Sequence, residues 1–389
     1  MYEFEKMPER RGTSCVKWDM ADEAYHGKDL LPMWIADMDL EVAPAIVDAL
    51  AKRVQHKVFG YDFLGDDYYE AVISWMKRRH HYEIDKDSIV FTAGIVCALH
   101  MAVLAATQPG DEVLISTPVY GPFFGAIKDE GRTIVDAPLK EENGYYSMDF
   151  EAMEKAVTPK TKAFLLCSPH NPVGRVWKRE ELEQIDAFCR KHGITVISDE
   201  IHNDLVLSGE HIVYGRVSEY AKQHCIICTA PSKTFNLAGI QASNILIANP
   251  ELREKFKAQV NKNHMSANVF AGPAVKAAYN ESEAWLEELL ELLRGNCRYF
   301  VNEVAEKLPE LKVAMPEGTY LLWLDCRGLG MSEEELGNWF AQECGIAANV
   351  GSWFGENGTC FRRLNMACPR ALVEDCFHRI EKAVKKLRK

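Results

Sequence analysis

Nowhere in this 389-residue chain does an apolar run approach the roughly 18 residues that a membrane span needs. Lysine and arginine form no long run outside the last turn, Lys385-Lys386-Leu387-Arg388-Lys389, and the formal charge is −12. That argues against a nucleic-acid surface, which needs a basic face; the basic tail suits the negative end of a final helix. The beginning, MYEFEKMPERRG, is charged and has no apolar core of the secretory kind, so a cytoplasmic protein is expected. No internal repeat, low-complexity tract or Ser/Gly linker occurs. The twelve cysteines follow no metal or disulfide rhythm, which fits reduced thiols used as small hydrophobes, and no metal is expected. Cys225-Ile226-Ile227-Cys228 matches C-x-x-C, yet residues three apart in a strand face opposite ways.

What is present is an ordinary globular composition, 47% apolar and 26% charged, in a chain long enough for two domains. From about 88 to 248 short β-branched runs alternate with helical stretches. The runs are Ser88–Thr92, 111–116, 133–139, 162–168, 194–199, 225–229 and 243–248, and several are apolar on successive residues. Burial on both faces follows, as in a mostly parallel sheet covered by helices, with 178–193 as one helical crossover. After about 250 the pattern changes. Trp285, Leu289 and Leu293 mark one face of a helix, 318–325 and 359–365 read as strands, and a closing helix follows. This predicts a large domain over 46–284 and a smaller α+β domain built from 1–45 together with 285–389, joined by the segment near Leu31–Leu40.

In open α/β sheets, sites form beyond the carboxyl ends of strands. Asp199 ends a buried run there, where an unpaired carboxylate is costly and needs a cationic partner. Asn171 opens Asn-Pro-Val-Gly, which suits a type I turn. Tyr120 offers a flat aromatic face, and Gly94 precedes a helix start able to receive a phosphate. Ser232 and Lys233 follow 225–229 within APSKTFNLAG, where Lys233 is the only charge. Singly, each has a plain structural reading: a turn residue, a cap, a packed ring, a solvated lysine. Together they offer an imine-forming amine, a carboxylate for a protonated ring nitrogen, an amide for a ring oxygen, an aromatic plate and a phosphate seat. That conjunction describes a pyridoxal phosphate site.

On 168–174 (SPHNPVG), Ser198-Asp199-Glu200-Ile201-His202, Ser232-Lys233-Thr234-Phe235-Asn236 and Arg363-Leu364-Asn365, the chain resembles the fold type I pyridoxal phosphate enzymes of the aspartate aminotransferase superfamily. Its 32–39 (PMWIADMD) and 363–370 (RLNMACPR) look more narrowly like the MalY/PatB-type cystathionine β-lyases. The resemblance implies a large domain with a mostly parallel seven-stranded sheet and a smaller α+β domain, and pyridoxal 5'-phosphate as cofactor. It implies that Lys233 holds the cofactor as an imine and moves the α-proton, that Asp199 pairs with the pyridine N–H, and that Asn171 donates to the phenolate oxygen. His202 stands where many aminotransferases carry a tyrosine for that oxygen; donation to the oxygen and support of Asp199 are both open to it. Tyr120 stacks on the ring. Gly94, Ile95 and Val96 present N–H groups to the phosphate, with the Ser232 hydroxyl beside them. Tyr61 reaches the neighbouring subunit's phosphate and substrate, which makes the enzyme a homodimer with shared sites; packing of a turn is its other reading.

Arg363 is implied for the substrate α-carboxylate, which guanidinium grips with two parallel hydrogen bonds. Arg362 and Arg363 face opposite ways in a strand, so Arg362 is expected on the surface. Two departures stand out: Ala230 and Gln241 occupy places where many aminotransferases have Ser or Thr and Arg on the phosphate. The implied function is C–S β-elimination from cystathionine or a related cysteine S-conjugate in amino-acid metabolism, yielding a thiol, pyruvate and ammonia. Transamination with a keto acid is the alternative, and a cofactor-binding regulator a third reading. The segments near Trp34 and Asn349–Phe354 are expected to set selectivity beyond sulfur.

Overall fold

In the computed structural model, which describes residues 2–388, the seven expected runs form one seven-stranded sheet. The strands are β1 (Ile89–Thr92), β2 (Glu112–Ile115), β3 (Thr133–Asp136), β4 (Thr161–Cys167), β5 (Thr195–Asp199), β6 (Cys225–Thr229) and β7 (Ser243–Leu246). Their spatial order is β1-β7-β6-β5-β4-β2-β3, and only β7 runs antiparallel to its neighbours. The successive apolar residues of each strand divide between two cores. Phe164, Val196, Cys225 and Ile227 enter one; Leu165, Ile197, Ile226 and Cys228 enter the other. The C-x-x-C pair is thus split across the sheet, and all twelve cysteines are free thiols.

Helices cover both faces. Ile95–Ala106 is apolar on nearly every side because it is buried against the sheet. Arg179–His192 is amphipathic, begins with Glu181 accepting from the Lys178 N–H at 2.8 Å, and ends on Gly193, whose φ of 65° is the left-handed turn that glycine makes without strain.

The second sheet has four antiparallel strands, β8 (Lys312–Val313), β9 (Leu321–Asp325), β10 (Asn349–Val350) and β11 (Phe361–Asn365), in the order β8-β9-β11-β10. It packs with the helix Arg370–Leu387 and with the 25-residue helix Glu283–Lys307, which runs without interruption through the expected boundary at 284/285. Trp285, Leu289 and Leu293 are buried along it as their spacing predicts. The N-terminal strap joins this part of the chain: Leu31–Pro32 pairs in parallel with Ile346–Ala347, and the Asn365 amide donates to the carbonyls of Ile35 (2.7 Å) and Asp37 (2.6 Å). In the basic tail, Lys385, Lys386 and Arg388 pair with Glu381, Glu343 and Glu310; Lys389 and Met1 lie outside the described residues.

Candidate functional site

Because β7 alone is reversed, the carboxyl ends of β1, β2, β4, β5 and β6 meet at one edge, where a cavity of about 630 Å³ opens. Ten of the expected site residues line it: Lys233, Asp199, Asn171, His202, Tyr120, Gly94, Ile95, Val96, Ser232 and Arg363. Tyr61 does not. It stands fully exposed on the irregular segment 57–65, beside the exposed Phe59 and Phe63.

Asp199 closes β5 and is 2% exposed. Among the described residues its carboxylate forms no ion pair; it accepts the Ile201 N–H at 3.2 Å, and burial raises its pKa to about 7. The cationic partner expected from its burial is therefore not supplied by the described protein residues. Lys233, half-buried on the short helix Pro231–Thr234, donates to the Ala36 carbonyl at 2.6 Å. Burial, reinforced by the Arg363 charge, lowers its pKa to about 8, which leaves about a tenth of it as free amine at pH 7. His202 is buried, its Nδ1 has no partner, and burial holds its pKa well below the usual imidazole value, so it is a neutral ring.

Asn171 does not sit in a tight Asn-Pro-Val-Gly turn. The Gly174 N–H donates to the His170 carbonyl at 2.8 Å, closing a turn one residue wider, and the His170 N–H pairs with Arg175. This fixes Asn171 under the cavity, where its Oδ1 accepts from Arg363 at 3.0 Å. Arg363 also donates to the Trp34 carbonyl (3.0 Å) and Asn349 Oδ1 (2.5 Å). All three acceptors are neutral, and Nε has none. Arg363 is thus a buried cation without a carboxylate among the described residues.

Arg362 corrects an expectation. It is 1% exposed, not superficial, and pairs with Glu333 at 2.8 Å. β11 is an inner strand, so its far face is covered too, here by the helical segment that begins at Glu333. The opposite facing of the two arginines holds.

At the other end of the cavity, Gly94 caps Ile95–Ala106 with φ of 101°, a conformation side chains resist, and leaves the first-turn N–H groups open. A Cβ there would lie 3.5 Å from Gln241 Oε1, so Gln241 does occupy this end. Sequence reasoning missed Ser243, the first residue of β7, whose buried hydroxyl has no partner, and Tyr25 at the mouth. It also missed the strap. The carbonyls of Trp34 and Ala36 hold Arg363 and Lys233, while Tyr320 donates to Ala36 at 2.8 Å. A buried cluster steadies that strap: Lys17 with Asp39 (2.7 Å), Arg10 with Asp37 (2.8 Å) and Asp39 (2.6 Å), and the Trp18 indole on Asp39 (2.7 Å).

This chain is similar to known proteins over nearly its whole length. Cystathionine β-lyase PatB of Bacillus subtilis (strain 168) is 41% identical over 98% of this chain and 99% of its own length. The crystal structure of cystalysin from Treponema denticola, which contains a pyridoxal 5'-phosphate cofactor, superposes with a TM-score of 0.96 at 38% identity over the whole of both chains. The pyridoxal-phosphate-bound C–S lyase of Staphylococcus hominis matches with a TM-score of 0.91 at 31% identity over 98% of each chain. The family model described as aminotransferase class I and II spans residues 29–380, and the chain belongs to that family.

Proposed function

We propose that this protein is a pyridoxal-phosphate-dependent C–S β-lyase that cleaves cystathionine or a related cysteine S-conjugate to a thiol, pyruvate and ammonia. One observation carries the reading: Lys233, Asp199 and Arg363 share one cavity, and none of these charges is paired with another or with any described side-chain charge. Each is open to a charge on a ligand. The residues present fit the cofactor: Asp199 awaits a cation, Lys233 offers a free amine, and a helix start offers N–H groups to an anion. The names of the relatives favour elimination over amino transfer.

When bound, pyridoxal 5'-phosphate supplies an electron sink for the negative charge that develops at the substrate α-carbon. Asp199 holds the ring nitrogen proton. Asn171, whose Oδ1 is engaged by Arg363, has Nδ2 left to donate to the ring oxygen, and His202, also on the cavity wall, has an unpaired Nδ1. Tyr120, on the cavity wall, would pack on the ring. Gly94, Ile95 and Val96 would receive the phosphate, with the hydroxyl of Ser232; among the described residues no cation lines that end, so backbone N–H groups would carry more of the charge. Arg363 binds the α-carboxylate. Lys233 Nζ takes the Cα proton, the electron pair left at Cα forms the Cα=Cβ bond as the Cβ–S pair departs with sulfur, which takes up a proton, and water releases the three-carbon remainder as pyruvate and ammonia.

Pyruvate and thiol formed from L-cystathionine without any keto acid test this reading; amino transfer that requires a keto acid would replace it. Arg363→Lys should lower kcat/KM by about 100-fold, mostly through KM, because an ammonium cannot make the paired hydrogen bonds. The exposed Phe59, Tyr61 and Phe63 support a homodimer in which Tyr61 enters the second copy's site. Sedimentation should give twice the chain's 44.0 kDa, and a monomeric active enzyme would end that part of the proposal. No helix of the described residues is long and apolar enough to cross a membrane, and the reading carries with it a cytoplasmic enzyme.

A further inference from the structure

Asp199, Lys233 and Arg363 are the only ionised side chains on the cavity wall among the described residues. The proposed reaction engages all three, two with the cofactor and one with the α-carboxylate. The wall left for the substrate beyond sulfur is aromatic. Tyr25 meets Trp34 edge to face at 5.3 Å, and Trp353 meets Tyr120 in the same way at 5.7 Å. The Trp34 indole N–H already donates to the Lys17 carbonyl at 2.8 Å, so its ring meets a ligand with carbon. Trp353 is 45% exposed in the segment Gly351–Phe354 and still lines the cavity.

The neighbours of Trp353 are shaped to keep it there. A Cβ on Gly121 would lie 2.4 Å from the indole, so only a bare residue at 121 leaves room for the ring. Phe354, the next residue, packs edge-on against Trp323 at 5.3 Å and lies 4.9 Å from the Arg363 guanidinium carbon. The segment that presents the aromatic wall is therefore braced by the residue that faces the α-carboxylate.

Cystathionine carries an ammonium and a carboxylate on its distal half. Aromatic faces suit the ammonium, but among this chain's described residues no cation on the cavity wall is left for the carboxylate, and a carboxylate taken from water without a partner is costly. We infer that the thioethers this enzyme cleaves best carry an apolar or aromatic group on sulfur, with Trp353 and Gly121 as the specificity-determining pair. The inference rests on the lyase reading above and uses the same bond changes.

The test compares pyruvate release by the full-length holoenzyme from L-cystathionine, S-benzyl-L-cysteine and S-methyl-L-cysteine. The benzyl conjugate should exceed cystathionine in kcat/KM by about tenfold or more. Trp353→Ala should reduce the benzyl-to-methyl ratio of kcat/KM about tenfold. Gly121→Ala, which pushes the indole aside, should move the ratio in the same direction, and either variant suffices should the other fail to fold. Cystathionine turned over as well as the benzyl conjugate, or a ratio unmoved by both substitutions, overturns the inference while leaving the lyase intact. No pyruvate from any of the three overturns the lyase reading itself, and this inference with it.

Discussion

Lys233→Ala should release pyruvate from cysteine conjugates about 10⁴-fold more slowly than the parent enzyme, since it removes both the proposed covalent attachment and the proposed proton acceptor. Borohydride reduction followed by peptide mapping should find a pyridoxyl group on the peptide containing residue 233 of the parent and none in the variant. Thermal melting separates chemistry from folding, because the side chain's hydrogen bond is a single one to the Ala36 carbonyl. The lowered pKa of about 8 adds a pH signature: capture of the cofactor by the apoprotein should quicken as pH rises and level off above that value. A pyridoxyl adduct on another lysine, or full activity in the variant, would sink the proposed mechanism.

Asp199→Asn should divide two quantities that usually fall together. Catalysis should drop about 10²- to 10³-fold, because a neutral amide no longer holds the ring nitrogen proton against the charge formed in the reaction. The cofactor-free protein, by contrast, should become more stable at pH 8. The folded apoprotein binds the Asp199 proton more tightly than the unfolded chain, with a pKa of about 7 against 3.8. The stability contributed by this group is therefore present below pH 4 and is lost as pH climbs through 7, at a full cost of about 4 kcal/mol. Asparagine escapes that penalty, so the apo variant should melt several degrees above the apo parent at pH 8 and equal it near pH 4. With cofactor bound, a ring cation repays the parent's carboxylate and the order should reverse. Identical apo melting curves at pH 8 would show that Asp199 is not an uncompensated buried charge.

Much of the fold was legible in the sequence. The strands of the large sheet are apolar on consecutive residues, and consecutive residues such as Ile226 and Ile227 go to opposite cores. Lys233, Asp199 and Asn171 announce themselves because each is a polar group just past a buried run, the place where a doubly wound sheet collects its chemistry. Arg362 was misread for a physical reason. Alternation along a strand tells which way a side chain points, but not whether the far face is covered, and here Glu333 and its helix cover it. The contribution of Ala36 and Trp34 could not be seen at all. It is made by backbone carbonyls, which every residue has, and by an approach of segments about two hundred residues or more apart. Ser243 was hidden likewise, since nothing marks a strand's first residue until β7 is known to run backwards.

The moored strap has a further meaning. The amine proposed as the catalytic base rests on a carbonyl whose place depends on Arg10 and Lys17, which precede every strand of the large sheet. A chain begun after Trp18 would retain every strand of the large sheet and every charged group of the pocket, yet would have lost the two cations that anchor the loop over it. Its opening residues thereby act as a tether on the proposed reaction centre, and trimming them is a change to the enzyme's working parts.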